Sequence, residues 1–195
     1  MVEMRLPSLE QEVYEPLSWI AGISAILIAF MGPSLLDIDA LADPRWLGVI
    51  AGVLVGFVAH ELMHRNVARA YGLSAEFVAY TPGLLVTVFS ALLPVRILVP
   101  GYVRIRGVST RRGYALSIAG GPSANIFIAM LGAISHSLLG YPASRFVEGV
   151  VEVNLWLAFF NLLPIPPLDG YRLASLDARI WLCLLALVVL AWILW

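Results

Sequence analysis

The stretch 46–71 is long and apolar, and it carries His60-Glu61-Leu62-Met63-His64 in its second half, followed by Arg65 and Arg69. About 20 apolar residues cross a hydrocarbon core of about 30 Å as a helix, and inside a bilayer a helix satisfies its own backbone. Residues four apart share a helix face, so His60 and His64 can point both imidazoles at one metal ion with Glu61 beside them. The same ridge runs back through Gly56, Gly52 and Gly48 and on to Ala68, small residues that let neighbouring helices approach closely. The histidines are therefore expected to face protein rather than lipid. A lone membrane histidine is usually a packed residue, but the chain has three histidines and two of them frame a glutamate. Charged residues cost about 2.5–3.5 kcal/mol each at a helix centre on insertion scales, which makes function the default reading of this triplet.

Composition agrees. Of 195 residues 61% are hydrophobic and 13% charged, and mean hydropathy is +0.89, whereas about a quarter of an ordinary soluble domain is charged. A net charge of -1 leaves no face for a basic stripe, which excludes nucleic acid as a partner. The single cysteine, Cys183, has no internal disulfide partner and reads as a small apolar filler.

Residues 1–16 are polar and acidic, unlike the basic start of a cleaved signal peptide. Spans are predicted at about 17–36, 46–71, 114–138, 146–163 and 178–195, with Trp19, Trp192 and Trp195 as interfacial anchors. The fold class expected is an all-α polytopic membrane protein of about five transmembrane helices, six if 82–99 spans. The segment 82–106 is expected to be re-entrant or a β-hairpin. Pro82, Pro94, Pro100 and Arg96 make 82–99 a poor lipid helix, and Tyr102-Val103-Arg104-Ile105-Arg106 alternates as a strand does. With Pro100-Gly101 as a turn, this predicts a strand hairpin around 95–106; a basic interfacial loop is the alternative. The row Gly121, Asn125, Ala129 and Ala133 is a second packing face, kinked by Pro122, and His136 reads as structural.

The His-Glu-x-x-His motif in an apolar helix, the stretch Gly120-Gly121-Pro122-Ser123-Ala124-Asn125, and Asn161-x-x-Pro-x-x-x-x-Asp169-Gly170 together resemble the site-2 protease family of intramembrane zinc metalloproteases. The compact size is similar to its archaeal and bacterial members, with no room for an added soluble regulatory domain. The resemblance implies one zinc ion per chain held by His60, His64 and Asp169, Glu61 as catalytic base, and Asn161 as a polar group near the substrate carbonyl. It implies a single membrane-embedded metalloprotease domain over 1–195 that hydrolyses peptide bonds within or next to transmembrane segments.

Chemistry read from the residues runs parallel to this. A catalytic zinc needs three protein ligands and an open position, and one helix supplies two imidazoles. Candidates for the third are Glu76, Glu148, Glu152, Asp169 and Asp177. Zinc proteases that take a glutamate from a later helix favour Glu148 or Glu152; Asp169 has the better setting, after a proline-broken stretch that must line a protein cavity. Glu61 can accept a proton from an attacking water and return it to the leaving amine, and Asn161 can donate to the oxyanion or simply bond a neighbouring helix. Partners expected are transmembrane protein substrates and the lipid bilayer, with homo-oligomerisation left open. Substrate contacts are placed at Asn125, Tyr102, Val103 and Ile105, the strand holding an unwound substrate by strand addition. Two other readings stand beside this one: a zinc-binding membrane protein that holds clients without cutting them, and a transporter, which broken helices favour and missing inverted repeats oppose.

For His60, His64 and Asp169 to meet, the spans 46–71 and 146–163 must run in the same direction, with one reversing span between them, so 82–99 must not cross. Arg5, Arg65, Arg69, Arg96, Arg104, Arg106, Arg111, Arg112, Arg172 and Arg179 then fall on one side and Arg45 and Arg145 on the other. The positive-inside rule puts the first group, the N-terminus and the zinc end in the cytoplasm, in a multi-pass protein of the cell membrane.

Overall fold

A computed structural model describes residues 15–195; the acidic segment 1–14, with Arg5, lies outside the described residues. Helix α1 (Glu15–Met31) runs into a 3-10 turn (Gly32–Leu36) and a short α2 (Ile38–Ala42). Next come α3 (Pro44–Ala70), β1 (Ser74–Ala79), α4 (Thr81–Phe89), β2 (Gly101–Arg106) and α5 (Arg111–His136), then α6 (Ala143–Asn161), α7 (Asp169–Leu176) and α8 (Ala178–Leu194). Among the described residues, three helical segments are long and apolar enough to cross a membrane: Glu15–Leu36, Pro44–Ala70 and Arg111–His136.

Local chemistry sets the ends of α3. The Asp43 carboxylate accepts from the Arg45 N–H at 2.8 Å, and Pro44 occupies the first turn, where no N–H is missed. That bond, with the nearby Arg145 and Arg45 guanidinium groups, holds the Asp43 carboxyl below the usual carboxylate range. At the other end Gly72, at φ +72°, lets the chain turn so that Gly72 and Leu73 N–H groups return to the carbonyls of Arg69 and Ala68. Thr110 caps α5 and Asp177 caps α8 in the same manner as Asp43.

Helices α3, α5 and α6 form the centre. The small-residue ridge of α3 meets α6 in step: a Cβ on Gly48 would run into the Phe146 carbonyl, one on Gly52 would lie 3.0 Å from Val150 Cα, and one on Gly56 2.5 Å from Asn154 Oδ1. Rising together, these pairs make α3 and α6 parallel. Helix α5 runs against both, with Gly120 beside Met63 and Asn125 bonded to both the Gly56 carbonyl and Asn154. One reversing helix separates α3 from α6, as the ligand geometry requires. The outer helices continue the alternation. Glu15 at the start of α1 pairs with Arg65, and the start of α8 lies at the end of α6, where the Trp181 indole donates to the Leu162 carbonyl at 2.8 Å.

The hairpin expected around 95–106 is not formed. Strand β2 instead pairs antiparallel with β1, from Ser74↔Arg106 to Ala79↔Gly101. Pro94 and Pro100 have no N–H for a ladder, and Val99 is stitched to α4 by a side chain, its N–H donating to Thr87 Oγ1 at 3.0 Å. Because Ala79 and Gly101 are partners, the excursion 80–100 leaves and returns at one place. Its tip reaches the C-terminal end of α1, where the Ala91 carbonyl lies against Gly32. Arg96, next to Ile97, is therefore separated from the arginines around β2 and the start of α5, contrary to the grouping expected from sequence. Cys183 is free and exposed on the apolar helix α8.

Candidate metal centre

On α3, His60 and His64 stand one turn apart and face α5 and the start of α7; both are buried, at 4% and 1% exposure. Asp169, the first residue of α7, comes to them after the break at 164–167, because Pro164, Pro166 and Pro167 end α6 and turn the chain back. Asp169 Oδ2 lies 3.2 Å from His60 Nε2 and 3.1 Å from His64 Nε2, and the two Nε2 atoms are 3.0 Å apart.

Hydrogen bonding behind the rings decides what these three atoms are. His64 Nδ1 lies 2.8 Å from the Ser117 carbonyl, an obligate acceptor, so that nitrogen carries the proton. His60 Nδ1 lies 2.6 Å from Asn125 Oδ1, while Asn125 Nδ2 donates to the Gly56 carbonyl at 3.0 Å and to Asn154 Oδ1 at 2.9 Å. With its amide nitrogen so engaged, Asn125 presents oxygen to His60, which also carries its proton on Nδ1. In neutral rings both Nε2 atoms are then bare acceptors facing a carboxylate oxygen. Three lone pairs about 3 Å apart repel one another unless a cation lies between them. Ligands at about 2.0–2.1 Å from a tetrahedral zinc stand about 3.3 Å apart, close to what is found here. Room is kept for the ion by Gly121, where a Cβ would lie 2.6 Å from His60 Nε2 and closer still to His64 Nε2.

Glu61 is buried, at 7% exposure, and its Oε2 has no hydrogen-bond partner among the described residues. Together with His60 and Asn161 it lines a cavity of about 30 Å³, walled by Phe57, Phe77 and Gly101, which is room for one water. The Trp19, Phe57 and Phe77 rings meet edge to face, with centroids 5.2–6.2 Å apart, and close this side against α1.

The remaining sequence candidates are placed elsewhere. Glu148 lies in the first half of α6 and Glu152 at its middle; their carboxylates pair with Arg145 and Arg45, and neither joins the group formed by His60, His64 and Asp169. His136 joins that cluster, 3.4 Å from Glu148. Glu76 pairs with Arg104 and Arg106 across the sheet, and Asp177 caps α8. Asn161 Nδ2 donates to the Leu157 carbonyl of its own helix at 3.0 Å, leaving one amide hydrogen for the cavity. Asn125 is fully buried behind His60 with its amide committed, which corrects the expectation that it meets substrate. Tyr102, Val103 and Ile105 lie on β2, and the Val103 carbonyl accepts from Arg172 of α7 at 3.0 Å. Asn154 was not singled out from sequence; a lone asparagine among Val151, Val153, Leu155 and Leu157 was the signal.

Two buried imidazole nitrogens and one carboxylate oxygen, with a second carboxylate free beside them, form a group able to hold a metal ion, and nitrogen and carboxylate donors of this kind suit zinc. Comparison with known proteins agrees. The chain is 34% identical over 130 residues to "Putative zinc metalloprotease MJ0611" of Methanocaldococcus jannaschii, covering 65% of this chain and 68% of that protein. It is 32% identical over 149 residues to "Putative zinc metalloprotease YwhC" of Bacillus subtilis, covering 64% and 66%. Against "Putative zinc metalloprotease Rip3" of Mycobacterium tuberculosis it is 33% identical over 135 residues, covering 66% of this chain and 30% of that longer protein. No protein-family model and no solved structure matches the chain. The chain belongs to the site-2 protease family of zinc metalloproteases.

Proposed function

We propose that the protein is an intramembrane zinc endopeptidase that cuts peptide bonds in or beside transmembrane segments of other membrane proteins. The observation that carries this reading is the convergence of His60 Nε2, His64 Nε2 and Asp169 Oδ2 beside a free Glu61 carboxylate in a helical, apolar setting. Zinc held by those three atoms supplies Lewis acidity, which makes water nucleophilic near neutral pH and polarises the scissile carbonyl. Glu61 takes a proton from a water in the adjoining cavity as its oxygen bonds to the peptide carbon; as the C–N bond breaks, Glu61 gives that proton to the leaving nitrogen. The second Asn161 amide hydrogen donates to the developing oxyanion. Walls of Phe57, Phe77 and Leu157 keep bulk water out, which strengthens each of these interactions. A structural zinc site has no use for a free carboxylate at the metal, which disfavours the non-catalytic reading.

Five spans are proposed: 17–36, 46–71, 114–138, 146–163 and 178–195. Large apolar side chains stand exposed on α1, α5 and α8, among them Ile20, Phe127, Ile134 and Ile193, as lipid contact requires. The excursion 80–100 enters the membrane and returns. Arg65, Arg69, Arg104, Arg106, Arg111, Arg112, Arg172 and Arg179 then mark the cytoplasmic side, against Arg45, Arg96 and Arg145 at the far end. Strand β2 offers an edge for an unwound substrate once Arg172 releases the Val103 carbonyl. Single cysteines at Ser74 and Ser109, in a Cys183→Ala background, are expected to label from the cytoplasmic side with an impermeant thiol reagent. Ser109 bonds the Tyr71 carbonyl and Ser74 follows Gly72 closely, so labelling of the two from opposite sides would refute this topology. The activity itself is tested by cleavage of a tagged single-span substrate, lost on chelation.

A further inference from the structure

Asn154 sits in the middle of α6, the helix packed along α3, and its hydrogen bonds go to Val150 and Asn125 rather than to a ligand, yet it is fully buried among apolar neighbours. A buried amide is costly unless its bonds are made, and here they form a line. Asn154 Nδ2 donates to the Val150 carbonyl at 2.9 Å, which turns its Oδ1 outward; that oxygen accepts from Asn125 Nδ2 at 2.9 Å. Asn125 Nδ2 also donates to the Gly56 carbonyl, which turns Asn125 Oδ1 onto His60 Nδ1. Each amide's orientation is thus dictated by an acceptor that cannot donate, and the line ends at the one ring nitrogen whose protonation frees Nε2 for metal. Gly56 is part of the device as well as of helix packing, because any side chain there would collide with Asn154 Oδ1.

The geometry points to Asn154 as a positioning residue: acting through Asn125, it holds His60 in the Nδ1–H form, with its Nε2 lone pair aimed at His64 and Asp169. His64 is held independently by the Ser117 carbonyl, so the two ligands are oriented by separate devices. The inference rests on the metal reading of the site. Without Asn154, the Asn125 amide has one acceptor fewer holding its nitrogen away from His60, and the other orientation would place that nitrogen against His60 Nδ1. His60 would then carry its proton on Nε2, where a metal must bind. Outer partners of this kind are worth about 10–100-fold in metal affinity.

The test uses the full-length protein in detergent, with nitrogen-15-labelled histidine, first stripped of metal and then titrated with zinc against a competing chelator. Wild type is expected to show Nδ1–H signals for both His60 and His64. Asn154→Leu is expected to move His60 toward the Nε2–H form, leave His64 unchanged, and weaken zinc binding about 10–100-fold. Asn154→Asp, whose carboxyl oxygen still accepts from Asn125, restores the Nδ1–H signal and most of the affinity, a rescue that loss of helix packing would not allow. The inference is overturned if Asn154→Leu folds with His60 still Nδ1–H and zinc affinity at the wild-type level. Should that variant not fold, a shifted His60 signal in Asn154→Asp overturns it equally. A wild type with both rings Nδ1–H that binds no zinc would instead overturn the metal reading alone.

Discussion

Replacing Glu61 with glutamine is expected to abolish peptide-bond cleavage while leaving bound zinc at the wild-type level. The amide keeps the shape of a side chain that sits in a water-sized cavity but is not one of the three converging ligand atoms. What it loses is the capacity to take a proton from water and return it to the leaving nitrogen. A single acid–base group contributes about 10²–10⁴-fold, and because both transfers run through Glu61 the loss is expected at the upper end, about 10⁴-fold. Zinc content by atomic spectroscopy and cleavage rate, measured on one preparation, separate the two effects. Cleavage near the wild-type rate would remove Glu61 from the mechanism.

The second large effect is at Asp169. Asp169→Ala removes one of three ligand atoms and leaves His60 and His64 facing each other at 3.0 Å with no carboxylate between them. Losing an outer partner already costs about 10–100-fold in metal affinity, so losing a ligand is expected to cost more, with cleavage lost in parallel. Glu148→Ala and Glu152→Ala are the controls. Both glutamates pair with arginines rather than with the histidines, and both variants are expected to keep metal and activity. Zinc retained in Asp169→Ala but lost in either control would break the ligand assignment.

These expectations rest on features that differ in how far the sequence reveals them. The histidine pair is a local pattern, four residues on a helix, and so are the α3 glycine ridge and the caps at Asp43, Thr110 and Asp177; periodicity and turn chemistry expose all of them. Asp169 is legible because prolines strip the backbone partners from residues 164–167 and demand a protein-lined setting. Strand β1 is not legible. Its sequence, Ser74 to Ala79, lacks a clean alternation, and its partner begins more than twenty residues later, so pairing is decided by tertiary closure rather than by a turn signal. Arg96 was misplaced for the same reason: without the β1–β2 pairing, nothing local says that 80–100 is an excursion reaching the end of α1. The line from Asn154 through Asn125 to His60 joins three helices, and no spacing rule in one sequence registers it.

The central claim is that a zinc ion held by His60, His64 and Asp169 enables this chain to cut a membrane-embedded peptide bond. Purified full-length protein in detergent, stripped with a zinc chelator and given a tagged single-span test substrate, tests it most directly. Cleavage is expected in the untreated protein, absent after stripping, and restored by adding zinc at about one equivalent per chain, with Glu61→Gln inactive at every zinc level. Cleavage that persists in the fully stripped protein, or in Glu61→Gln, would contradict the account.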